Sequence, residues 1–172
     1  MTISNRNARR ALVAIVVALS AACSSNGSPT PTIATATGGT LVDVHGQFSG
    51  TYRFVKCVDE GGFAGACAQG FAPDDMLPIS LSLTQTQSTV KGNVDLGAVS
   101  GTFQGTVTGS TLTGAATMTD VTDQGQTLST SITDWNTTLA GNALSGGFTV
   151  GFRVSGVTGS VKLSATIVQL TR

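Results

Sequence analysis

The sequence predicts an all-β fold: an antiparallel up-and-down meander of about eight strands closed into a small barrel, with a β-sandwich as the alternative. Three observations lead there. After residue 45, apolar residues alternate with Ser and Thr at a period of two, whereas helical spacing at i, i+3, i+4 and i+7 fails. Two-residue turn signals such as Gly109-Ser110 and Gly141-Asn142 cut that pattern into short neighbouring segments, so strands adjacent in sequence should pair in space. Glycines fall inside the segments at the parity of the apolar residues (Gly50, Gly92, Gly101, Gly105, Gly114, Gly146), where they relieve crowding as a strand coils around a narrow barrel.

The first element is not part of that fold. Arg6, Arg9 and Arg10 precede an apolar run from Ala11 to Leu19, followed by Ser20, Ala21, Ala22 and Cys23. A basic region, about ten apolar residues and a small-residue cleavage site make a secretory signal. The run is too short for a membrane-spanning helix, which needs roughly twenty apolar residues. Leu19-Ser20-Ala21-Ala22-Cys23 resembles the lipobox of bacterial lipoproteins, with serine where leucine is commoner three positions before the cysteine. The resemblance implies cleavage after Ala22, leaving residues 1–22 as signal peptide, and acylation of Cys23. Several acyl chains on that cysteine would hold the protein to a membrane, where a single chain holds only marginally. An ordinary signal peptide with an incidental cysteine is the alternative. The implied location is the cell envelope, and in a Gram-negative cell Ser24, rather than an aspartate after the cysteine, implies the outer membrane.

Residues 23–44 are rich in Ser, Thr, Pro and Gly, with Ile33 the large apolar residue of the stretch from Ser24 to Thr40. They cannot bury enough apolar surface to offset the entropy of ordering them and read as a flexible tether, with order beginning between Leu41 and Gln47. Residues 45–172 are the right length for one domain. The chain after Ala22 carries six Lys/Arg against nine Asp/Glu, a net charge of about minus three with no basic patch. That excludes nucleic acid as an expected partner; the membrane, through acyl chains, is expected, and protein partners are not indicated.

The strands are placed near residues 46 to 56, 77 to 86, 88 to 96, 98 to 108, 111 to 119, 127 to 139, 143 to 155 and 158 to 171. In the second, Leu77, Ile79, Leu81 and Leu83 share a face opposite Ser80, Ser82 and Thr84; Val99, Phe103 and Val107, and then Leu144, Phe148, Val150, Phe152 and Val154, repeat the pattern. Asp123-Gln124-Gly125 reads as a slightly longer turn. Trp135 breaks parity with Leu128 and Ile132, so a bulge near Thr133 and Asp134 is expected to return it to the interior. Otherwise it would be an exposed contact residue. Alternation alone does not say which face is inside. An inside-out barrel would need aromatic girdles, which one Trp and one Tyr do not supply.

The connection between the first two strands departs from the pattern. It holds Cys57 and Cys67, and two thiols in an exported chain are expected to form a disulfide, constraining the unfolded chain by about 3 kcal/mol in the entropic picture. Zinc would want about four ligands and His45 is the one histidine, so no metal site is expected. Phe63 and Phe71 are apolar groups that could cover a barrel mouth.

Catalytic chemistry is not indicated. A lone histidine near the tether cannot readily activate a nucleophile, the carboxylates are scattered over turns, and the glycine spacings precede no helix. No cofactor is expected. Gly46-Gln47-Phe48 resembles, with Phe for Trp, the Gly-x-Trp that opens the first strand of lipocalin-like and avidin-like barrels. In such barrels the aromatic plugs one end, which is the role the resemblance implies for Phe48; biotin binding is not implied, since avidin-type pockets use several tryptophans. Two functions are expected from different classes. One is a lipid-anchored lipoprotein holding a small apolar ligand among Phe48, Tyr52, Phe54 and Trp135; the other is a structural or surface-interaction lipoprotein whose barrel is filled.

Overall fold

A computed structural model of the protein describes residues 41–172, together with residues 35–36 and 39–40, which pair as two-residue antiparallel strands β1 (Thr35–Ala36) and β2 (Gly39–Thr40). The expected leader and Cys23 lie outside the described residues.

The remaining strands are β3 (Gly46–Gly61), β4 (Leu77–Thr86), β5 (Thr89–Asp95), β6 (Ser100–Thr108), β7 (Thr111–Met118), β8 (Val121–Asp123), β9 (Gln126–Ala140), β10 (Ala143–Val154) and β11 (Gly159–Thr171). Each long strand pairs antiparallel with its neighbour in sequence, and β11 returns to pair with β3 from Gly159↔Gly61 to Thr171↔Ser49. That last ladder closes eight strands into a barrel; β8 is an extra strand hairpinned onto β9. Closure removes most of the exposed edge that an open sheet would carry.

The parity read from the sequence is the parity of burial. Ile79, Leu81 and Leu83 are buried, while Ser80, Ser82 and Thr84 face solvent. Phe103, Val107, Phe148 and Val150 are buried likewise. The outer surface of β4 to β7 is mostly Ser, Thr, Asn and Gln, with Lys91 and Asp95 among them, the reverse of a barrel that presents Val, Leu and Phe to lipid.

Turns gather at two poles. At the first lie the hairpins Gln87-Ser88, Gly109-Ser110 and Gly141-Asn142, with Arg172; at the second lie the turns after β5, β8's hairpin, the β10–β11 turn and the β3–β4 connection. Asp123 pairs directly with Gln126, so the expected longer turn is a two-residue one, Gln124-Gly125, with φ of 49° and 78°. Two consecutive positive φ values match the twist of a tight hairpin.

The first pole is crossed by residues 41–45. Val44 is fully buried, and Leu41 and Val42 pack against the core. Gln85 continues the inward parity of β4 and binds this strap at both amide atoms: its Oε1 accepts from Val44 N (2.8 Å) and its Nε2 donates to Val42 O (3.1 Å). Arg172 Nη1 donates to Asp43 O and His45 O at 3.0 and 2.8 Å. Backbone groups that would otherwise be orphaned at the pole are thereby satisfied.

Two differences from the sequence reading have simple causes. β3 runs to Gly61, five residues beyond the expected end, because β11 supplies a partner out to Gly159; a bulge at Val55 breaks the alternation and hides the continuation. The segment from residue 62 to residue 76 also contains a five-residue helix, α1 (Ala66–Gly70), too short to show a helical period.

Candidate functional site

The expected bulge is present. Gly114 pairs with Trp135 and Ala116 with Ile132, so Thr133 and Asp134 together face a single residue of β7, and Asp134 takes φ 53°. Aspartate tolerates that left-handed conformation better than a β-branched neighbour would. The extra residue turns Trp135 inward, where it is 1% exposed. Its Nε1 donates to Thr137 Oγ1 at 3.0 Å inside the barrel, and that hydroxyl lies 3.5 Å from Leu112 O. The indole is therefore satisfied without solvent.

Around Trp135, the rings of Phe148, Phe103, Tyr52 and Phe54 form a continuous column. Phe148 stacks on it at 4.9 Å between centroids with an 11° interplanar angle, and Phe103 meets it edge-on at 5.4 Å. Tyr52 lies 5.4 Å from Phe148, and Phe54 meets Tyr52 edge-on at 5.3 Å. Edge-to-face and stacked pairs at these distances add about 0.5–1.5 kcal/mol each beyond their area burial. The column needs space on β6 and β7, which the facing pair Gly105↔Gly114 provides. A Cβ on Gly114 would lie 2.5 Å from Phe103 Cζ and 2.5 Å from Gln104 O.

Of the four residues singled out in the sequence, Tyr52, Phe54 and Trp135 are thus joined through Phe148. Phe48 is not part of the column. It is 1% exposed near the start of β3, and the Arg172 guanidinium carbon sits 5.5 Å from its ring centroid. A cation over the ring, also bonded to two strap carbonyls, holds Phe48 in place near the first pole. Burial pushes the Tyr52 phenol up to about 12, because a phenolate there would lose its hydration.

The second pole is built differently. Phe54, Leu77, Val99 and Phe152 are half-buried there and pack against the core from its edge. Beneath them Thr130, 4% exposed and paired across the sheet with Phe152, has a buried hydroxyl with no hydrogen-bond partner. Cys57 on β3 is bonded to Cys67 on α1. Phe63 and Phe71 are half-buried. On the outer surface a groove of about 270 Å³ runs over β3 to β6, lined by Gln47, Ser49, Ser80, Ser82, Asn93 and Asp95 among others.

Comparison with protein families, curated proteins and solved structures finds no match. The chemistry rests on the residues themselves. Among the described residues no group of three or more His, Cys, Asp or Glu side chains is placed to hold a metal ion. The column can exclude water and fix the barrel's shape; the rim at the second pole offers apolar contact around one unpartnered hydroxyl; the outer groove offers hydroxyl and amide groups beside the Asp95 carboxylate.

Sequence reasoning missed Phe148, Phe103, Arg172 and Thr130 as members of this arrangement. Parity placed Phe103 and Phe148 inside, but which strands face one another across the barrel follows only from register.

Proposed function

We propose that this chain is a non-catalytic, lipid-anchored lipoprotein of the cell envelope, whose barrel is filled by its own side chains and meets envelope partners through its outer face. The observation that carries the reading is the aromatic column: Trp135, Phe148, Phe103 and Tyr52 occupy one another's contact surfaces in the space where a ligand of a hollow barrel would sit. Anchoring rests on the lipobox-like Leu19 to Cys23 pattern, and the outer-membrane placement on Ser24 if the cell is Gram-negative. The absence of a basic patch weighs against a nucleic-acid partner.

A second reading has its own support. The half-buried rim of Phe54, Leu77, Val99 and Phe152 over the unpartnered Thr130 hydroxyl favours a small, largely apolar molecule bound at the second pole of a lipocalin-like barrel. Native mass spectrometry of the unlipidated domain separates the two: the filled barrel flies as the bare polypeptide mass, whereas a copurified adduct supports the ligand reading. Cell fractionation tests the anchor. Wild-type protein should sediment with membranes and Cys23→Ala should be released or remain unprocessed; free wild-type protein in periplasm or medium would refute the anchor.

A further inference from the structure

Four strands carry the second pole. β9, β10, β11 and β3 align one row of residues from Thr130↔Phe152 through Phe152↔Val161 to Val161↔Asp59. The next row inward runs from Ile132↔Val150 through Val150↔Leu163 to Leu163↔Cys57. Beyond Tyr52, β3 pairs with β11 alone, because β4 begins at Leu77 opposite Tyr52, so from Arg53 to Gly61 it is an edge strand. Parity points both rows into the barrel: their members are buried or half-buried, while Ser129, Arg153, Lys162 and Val58 alternate with them and are exposed.

The row nearer the mouth has polar ends and an apolar middle. Phe152 and Val161 at its centre are half-buried. Thr130 at one end is 4% exposed, and its hydroxyl has no hydrogen-bond partner. Asp59 at the other end accepts from Cys67 N at 2.9 Å, and Cys57 in the row behind is bonded to the same cysteine, so α1 is tied to the inner side of this wall. With strands about 4.8 Å apart, Thr130 and Asp59 stand about 14 Å from each other along the row.

A buried hydroxyl left unpaired costs about 1–3 kcal/mol, and no other residue of the two rows carries a hydroxyl or an amide side chain to relieve it. The charge pattern limits what can. Asp59 is the one charged side chain in the two rows, and the cations Arg153 and Lys162 lie on the opposite face of the sheet. An anionic head would therefore be desolvated without a counter-charge and repelled by Asp59. A threonine hydroxyl both donates and accepts, and an alcohol on a ligand matches it in either direction.

The geometry points to a binding site on this wall for a small, uncharged molecule whose apolar body lies on Phe152 and Val161 and whose hydroxyl completes the hydrogen bonding of Thr130. The inference rests on the ligand reading of the second pole. It is compatible with a filled interior, because Phe148 of the aromatic column lies two inward positions deeper than Phe152 on β10.

Titration of a chain of residues 24–172 with toluene, benzyl alcohol and benzoate, followed by the methyl NMR signals of Leu128, Ile132, Val154 and Val161, tests this. Benzyl alcohol should shift these signals, and benzoate should bind at least about tenfold more weakly. Thr130→Val should weaken benzyl alcohol at least about fivefold and leave toluene unaffected, the loss expected of one hydrogen bond. Thr130→Ser should keep the wild-type preference. If none of the three probes moves those signals, the ligand reading of the second pole falls together with this inference. If toluene and benzyl alcohol bind there but respond alike to Thr130→Val, or if benzoate binds as tightly as benzyl alcohol, the ligand reading stands and the inference is overturned.

Discussion

Replacing Gly50 by alanine should damage the barrel where it closes. Gly50 faces inward on β3, between Ile79 of β4 and Leu170 of β11, beside the register skip that bulges Val168 out of β11. A Cβ added there would lie 1.8 Å from Gln169 O, 2.5 Å from Gln169 C and 2.8 Å from Leu170 Cα. All three are backbone atoms, so no rotamer change relieves the contact. Ordinary contact begins at 3.4 Å, and β3 and β11 would have to part by about 1.6 Å. A ladder bond of about 2.9 Å does not survive that displacement. Losing two such bonds at about 0.5–1.5 kcal/mol each, with about 1–3 kcal/mol of overpacking strain, gives a cost of about 2–6 kcal/mol. Urea unfolding followed by the fluorescence of Trp135, the protein's one tryptophan, reads this directly. At a slope of about 2 kcal/mol per M the midpoint should fall by about 1–3 M. Gly70→Ala is the control, with nothing within 4 Å of the added methyl, and should stay within about 0.5 kcal/mol of wild type. A Gly50→Ala midpoint equal to that of the control would refute the view that glycine lets these strands approach.

Two further outcomes rest on buried polar groups. Thr130→Val keeps the shape and removes a hydroxyl that has no partner, so it should stabilise the protein by about 1 kcal/mol and raise the melting temperature by a few degrees; destabilisation would mean that the hydroxyl has a bound partner. Tyr52 is the one tyrosine, so phenolate absorbance reports it alone, and ionisation should appear at about 12 in the folded protein but near 10 in denaturant. Because the unfolded chain gives up this proton first, the stabilisation is complete below pH 10 and drains away as pH rises through 12; Tyr52→Phe should flatten that slope, and native ionisation near 10 would contradict the burial argument.

Much of this fold was legible because alternation and turn chemistry are local. The Leu77 to Leu83 alternation, bounded by turn residues, marks β4 to its observed ends, and the other long strands other than β3 lie within two residues of expectation. The parity break at Trp135 located a bulge because burying an indole costs less than exposing it. Other features leave no local trace. β8 has three residues, all exposed, and α1 has five. The Val55 bulge interrupts the period of β3, so its outer half does not read as strand. Arg172 over Phe48 joins residues at opposite ends of the domain, a pairing that only closure creates. The disulfide was legible from the cysteine count and the expected export, but its attachment to an edge strand was not. The candidate site was half legible: Tyr52, Phe54 and Trp135 were named, while Phe148, which joins them, depended on the β10–β11 and β9–β10 registers.

The strap and the final strand meet over one pole: Arg172 holds the carbonyls of Asp43 and His45, so the chain comes into the domain and leaves it through the same doorway. An engineered tag fused after Arg172 would therefore leave the barrel at that end. A surface that immobilises the domain by residue 41 or by residue 172 would accordingly leave the cystine end pointing outward.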